Sequence, residues 1–93
     1  MTKTERDYIA IVSLMAGAGS YARGKDRDEV IERVKRITKA DWKSMFPKAF
    51  KKGQVIKANV LDVTGYDQVT WDSSIYVDGK PFPGKIEMVD LAY

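Results

Sequence analysis

A chain of 93 residues with 44% apolar and 31% charged side chains can hold one hydrophobic core, has no length left for a second domain, and is too apolar for a disordered tail. It contains neither Cys nor His, which excludes disulfides, thiol chemistry, Cys- or His-ligated metals and the usual nucleophile–base pairs, so that any metal site would have to be all-oxygen. The formal charge of +3 hides a polarity: nine bases and one acid, Asp41, lie between Arg33 and Lys57, whereas residues 1–32 and 58–93 are net acidic.

Tyr8 to Leu14 (YIAIVSL) is rich in β-branched residues with apolar groups on both alternating faces, the pattern of a central strand buried on two sides. Met15 to Gly19 (MAGAG) reads as a turn and Ser20 to Arg23 as a returning strand, which makes an N-terminal β-hairpin. This stretch is far shorter than the roughly 20 apolar residues that span a bilayer. The mixed-charge N-terminus also lacks a signal-peptide pattern, so the expectation is a cytoplasmic protein without a membrane partner.

Asp26, with Glu29 three residues on, resembles a capping box, and Val30, Ile31, Val34 and Ile37 follow helical spacing. Glu29 with Arg33 and Glu32 with Arg36 are spaced as i,i+4 ion pairs on the opposite side. Thr38, with Asp41 three residues on, reads as a second cap. Trp42, Met45 and Phe46 then form the apolar side of a short second helix that Pro47 ends.

Beyond the break at Lys51-Lys52-Gly53 the pattern is β. Gln54 to Val63 reads as a strand, Thr64 to Asp67 as a turn, Gln68 to Val77 as a second strand, Asp78-Gly79 as a tight hairpin and Ile86 to Tyr93 as the last strand. Val69, Trp71, Ile75 and Val77 alternate with polar residues, which predicts one wet face and one face packed on the helix. The prolines of Lys80 to Gly84 exclude a central strand there. The fold class is therefore α+β: an N-terminal β-hairpin, one amphipathic helix plus a short second helix, then a three-stranded antiparallel meander, β-β-α-α-β-β-β. A sheet that buries one face leaves an edge for a second copy, hence an expected homo-oligomer.

Gly19 to Asp26 (GSYARGKD) fits G-x-x-x-x-G-K, but Asp26 stands where a phosphate-binding loop needs Ser or Thr. What survives is a small-anion site made of Arg23, Lys25 and the free N–H groups at the helix start. The acids Asp62, Asp67, Asp72, Asp78, Glu87 and Asp90 read as strand-end and turn residues rather than a catalytic or metal set. No cofactor motif is legible.

Lys52 to Val63 followed by a hairpin resembles the first strand of RNA-binding OB barrels of the ribosomal-protein type, with Ala58 at a usual Gly position. The opening hairpin, Gly24 and helix resemble the HicB-like antitoxin domain. Neither resemblance carries functional residues onto this chain.

The stronger signal is the basic block with Trp42, Phe46 and Phe50 inside it, because cations neutralise phosphates or carboxylates while rings stack on unpaired bases. On a short amphipathic helix Trp42, Met45 and Phe46 are more often core than stacking platform, and the lysines are then a solvated face. The reading is a non-enzymatic binding module in which Lys39, Trp42, Lys43, Lys48, Lys51 and Lys52 dock on an anionic macromolecule, either nucleic acid or an acidic protein surface. The alternative is a compact inhibitor or accessory protein of the phage and mobile-element kind, which makes protein contacts through its exposed sheet and through Tyr66 and Tyr76. A third reading is sequestration of a small anionic ligand between subunits near Arg23 and Lys25.

Overall fold

The computed structural model describes residues 5–13, 19–72 and 74–93. Its elements are β1 (Tyr8–Ser13), β2 (Gly19–Gly24), α1 (Arg27–Met45), β3 (Val55–Asp62), β4 (Val69–Trp71), β5 (Ile75–Val77), β6 (Lys80–Pro81) and β7 (Glu87–Ala92). They form an α+β domain with one helix and two antiparallel sheets, a four-stranded sheet ordered β2-β1-β3-β7 and a three-stranded sheet ordered β4-β5-β6. The turn expected over Met15 to Gly19 lies, but for Gly19, outside the described residues.

Strand β1 is internal, as its two apolar faces require. Ala10 and Val12 pack under the helix with Ala22, Val30, Val34, Trp42, Ile56, Ala58, Val60 and Leu91. Ile9 and Ile11 face the other way and join Leu61, Val63 and Val77 in a second cluster, against which Tyr66, Val69, Trp71, Ile75 and Phe82 pack. The molecule is thus three layers: helix, large sheet, small sheet. Under the helix the sheet carries Ala10, Ala22 and Ala58, each at most 3% exposed. Small side chains there let the helix approach closely. At Gly24 a Cβ would stand 3.2 Å from Val30 Cγ2, a tight contact, so a larger residue at the strand-to-helix turn would require Val30 to shift.

The expected second helix is absent. One continuous helix runs from Arg27 to Met45, and Thr38 is not a cap but a fully buried member of the inward row Val30, Val34, Thr38, Trp42. Four-residue spacing places these side chains on one face, and nothing at Thr38 interrupts the backbone ladder. Asp41 accepts a hydrogen bond from the Ser20 hydroxyl on β2 at 2.7 Å, so it pins helix to sheet rather than starting a helix. Asp26 does cap α1: its carboxylate accepts from the Asp28 and Glu29 N–H groups at 2.9 and 3.1 Å.

The meander also differs from expectation. β3 leaves the expected meander and joins the N-terminal hairpin by pairing with β1, and β7 returns to pair with β3. Gln68 to Val77 is two short strands, β4 and β5, because Asp72 donates its N–H to Ser74 O and turns the chain there. Their apolar residues pack on the outer face of the large sheet and not on the helix. The Asp78-Gly79 hairpin is as expected, with φ of 49° and 78° as a mirror-image two-residue turn needs. The OB resemblance fails at the level of the sheet, which is open between β2 and β7 instead of closed into a barrel.

Candidate anion-binding face

Because α1 turns Val30, Val34, Thr38 and Trp42 inward, Lys35, Lys39 and Lys43 fall four residues apart along the flank beside that row, with Arg36 further out. After Pro47 the chain loops back beneath the helix end. Lys39 and Lys43 of the helix and Lys52 of the loop then rim a cleft of about 200 Å³ whose remaining lining residues are the rings of Phe50 and Tyr93. A second groove of about 380 Å³ shares Lys39 and Tyr93 with it and continues along Glu32, Lys35, Arg36 and Ala92. None of Lys35, Arg36, Lys39, Lys43, Lys48, Lys51 and Lys52 is within ion-pair distance of an acid among the described residues.

The aromatic floor is a run of edge-to-face contacts. Trp42 meets Phe50 edge-on at 6.3 Å between centroids, and Phe50 meets Tyr93 likewise at 5.5 Å. Lys43 Nζ stands 5.6 Å from the Phe50 centroid and Lys35 Nζ 5.7 Å from that of Tyr93, within reach of cation–π attraction. The Tyr93 hydroxyl donates to Lys35 O at 2.8 Å, and burial pushes its phenol pKa up, so the ring stays neutral beneath the lysines. Beneath it Thr38 Oγ1 and Trp42 Nε1 are buried without hydrogen-bond partners among the described residues.

Trp42 itself is 9% exposed and belongs to the core, which removes it as a platform for stacking bases. Phe46 is half-buried against the same core. Lys48 and Lys51 are exposed on the same loop but do not line the cleft.

Arg23 and Lys25, expected to hold a small anion, lie elsewhere, and each is already paired with an acid. The Arg23 guanidinium binds the Asp7 carboxylate at 2.6 to 3.1 Å and donates to the carbonyls of Asp67 and Tyr66 at 2.9 and 2.6 Å. The Asp7 hydrogen bond raises its pKa further above the ordinary arginine value. Lys25 pairs with Glu5 at 2.7 Å. The N–H groups at the helix start that would greet an anion are taken by Asp26. Three acids, Glu5, Asp7 and Asp67, line the depression around Arg23.

Two site features escape sequence reasoning. Tyr93 is separated from Lys39 by the whole β region, and only the β3–β7 pairing brings it under the helix. The spacing of Arg33 and Arg36 pairs them with Glu29 and Glu32, yet neither Glu29–Arg33 nor Glu32–Arg36 is an ion pair among the described residues; Arg33 instead donates to Arg23 O at 3.1 Å. The outward i,i+4 row of bases was the available signal.

Of the acids of the C-terminal half, Asp62 and Asp78 hold turns, while Glu87 and Asp90 on β7 pair with Arg27 and Lys57. Asp62 accepts from the Thr64 N–H and hydroxyl at 3.0 and 2.5 Å and pairs with Arg6 at 2.9 Å. Asp78 accepts from the N–H groups of Asp67 and Gln68. Among the described residues no helix is long and apolar enough to cross a membrane. Fold and face together define a three-layer α+β domain with a lysine-rimmed aromatic cleft. The chain matches no protein-family model, no curated protein and no solved structure.

Proposed function

We propose that this protein is a non-enzymatic cytoplasmic binding module that docks on an anionic macromolecule through Lys39, Lys43 and Lys52, with Lys35 and Arg36 extending the contact. One observation carries the reading: the bases around the Phe50–Tyr93 cleft have no acidic partner among the described residues, whereas Arg6, Arg23, Lys25, Arg27 and Lys57 each have one. An unpaired cation row over an apolar floor attracts a polyanion at long range and lets its apolar parts settle on the rings. Binding by occupancy needs no reacting group, in keeping with a chain that lacks Cys and His.

The test is fluorescence anisotropy at low salt with labelled poly-glutamate and labelled oligo-thymidylate. The triple substitution Lys39→Glu, Lys43→Glu, Lys52→Glu abolishes binding, whereas Lys25→Glu leaves it unchanged. Equal affinity of the triple variant and the parent protein contradicts the reading. A second reading, protein contact through the sheet, is favoured by Met88 and Val55, 64% and 53% exposed on neighbouring strands of the large sheet.

A further inference from the structure

Strand β7 is an edge of the large sheet. Among the described residues it pairs with β3 alone, through six consecutive register partners. Tyr93 donates its N–H to Gln54 O, so ladder alternation turns the backbone groups of Glu87, Val89 and Leu91 toward β3 and those of Met88, Asp90 and Ala92 outward. The opposite edge is different. There the Val63–Asp7 hydrogen bond sets the alternation, which leaves the Arg23 carbonyl facing outward from β2, and Arg33 caps it.

Edge strands are normally blunted by charge, proline or cover. β7 has no proline, and its two acids are already answered, Glu87 by Arg27 at 2.6 Å and Asp90 by Lys57. On the helix side, the groove beside the end of β7 carries Lys35, Arg36 and Lys39 against the single acid Glu32. A strand laid along β7 would point every second side chain to that side. Same-face residues of a strand repeat at about 6.7 Å. Lys35 and Lys39 are about 6 Å apart along the helix, so successive acids on one face of the added strand repeat at a spacing close to that of the two lysines.

We infer that the partner is a protein segment of extended, acidic character that adds to β7 as a further strand, its helix-facing carboxylates meeting Lys35, Arg36 and Lys39. The inference rests on the proposed docking role of the lysine face and specifies its ligand: a peptide backbone, which can complete the β7 ladder, in place of a nucleic acid, which cannot.

The experiment uses the full chain and a labelled short peptide alternating Glu and Val, beside the same peptide N-methylated at alternate residues and labelled oligo-thymidylate. Asp90→Pro removes an outward N–H, which an edge strand tolerates. It also removes a negative charge, a change that by itself would favour an acidic ligand. The expected result is that Asp90→Pro and N-methylation each weaken peptide binding at least about tenfold, while oligo-thymidylate binding to Asp90→Pro is unchanged. Met88→Pro, which removes a second outward N–H, repeats the test should Asp90→Pro fail to fold by circular dichroism. Peptide binding indifferent to both prolines and to N-methylation overturns the strand addition and leaves the lysine face standing, as does binding of the oligonucleotide without the peptide. Loss of all binding in the parent protein overturns both. A dimer in sedimentation that either proline dissolves assigns the edge to a second copy and overturns the inference.

Discussion

Arg23 joins three parts of the chain: Asp7 before β1, β2 itself, and the Tyr66 and Asp67 carbonyls after β3. Lysine in its place keeps the charge but loses the planar fork that reaches a carboxylate and two carbonyls together. Arg23→Lys therefore lowers stability by about 2 kcal/mol, the scale of hydrogen bonds to a partly buried charge, and leaves poly-glutamate binding intact. Urea unfolding measures the first and anisotropy the second. Trp42→Ala should cost about 3–5 kcal/mol by opening the core beneath the cleft. Trp42→Phe costs far less, since the lost volume is partly offset by removal of an indole N–H without a partner. Equal stability of the alanine variant and the parent in the same assay would place the ring on the surface.

Asp62 gives the acid limb a defined sign. Its hydrogen bond from the Thr64 hydroxyl, then the Thr64 N–H and Arg6, hold its pKa below the ordinary carboxylate value against the opposing effect of burial. In the unfolded chain it protonates near pH 4 by about its ordinary value. Its contribution to stability is therefore complete above that pH and lost as pH falls through the lower folded value. Thr64→Ala should raise the Asp62 titration midpoint toward the ordinary range in an NMR pH series and flatten the acid limb of stability. An unmoved midpoint contradicts that assignment.

At the scale of elements, α1 is the best determined by local sequence and also the place where local sequence misleads. Asp26 announces the start, and Pro47 enforces the end just past Met45. Asp26→Ala should cost about 1 kcal/mol, the usual worth of a cap, with the loss of thermal stability read by circular dichroism; no loss would mean that the Asp28 and Glu29 N–H groups are satisfied otherwise. Thr38 with Asp41 has the spacing of a cap, but Thr38 is buried against the sheet and Asp41 holds Ser20, both tertiary uses that spacing does not reveal. The strands were legible by alternation and by Asp78-Gly79, although the break between β4 and β5 was not. Alternation marks which residues are inward without telling which layer they meet. Val69, Trp71, Ile75 and Val77 are indeed inward, and the layer they meet is the outer face of β1 and β3.

For the whole molecule, that three-layer arrangement decides which bases are free. β1 spans both clusters and holds helix and small sheet on opposite faces, so the basic side of α1 faces away from the small sheet. The basic segment from Arg33 to Lys57 was legible in the sequence as a charge excess, and its division was not. Lys57 goes to Asp90 across the β3–β7 pair, and Arg33 goes to the β2 edge. Lys39, Lys43 and Lys52 converge only because the loop after Pro47 folds back and β7 delivers Tyr93 beneath them.

The salt dependence of poly-glutamate binding by the parent protein and by the Lys39→Glu, Lys43→Glu, Lys52→Glu variant tests the docking role of this face most directly. Affinity should fall steeply with rising salt in the parent, as expected for exposed charges beyond a Debye length of about 10 Å at 0.1 M, and be lost in the variant at every salt concentration. Affinity that is flat with salt, or that survives the triple reversal, would contradict it.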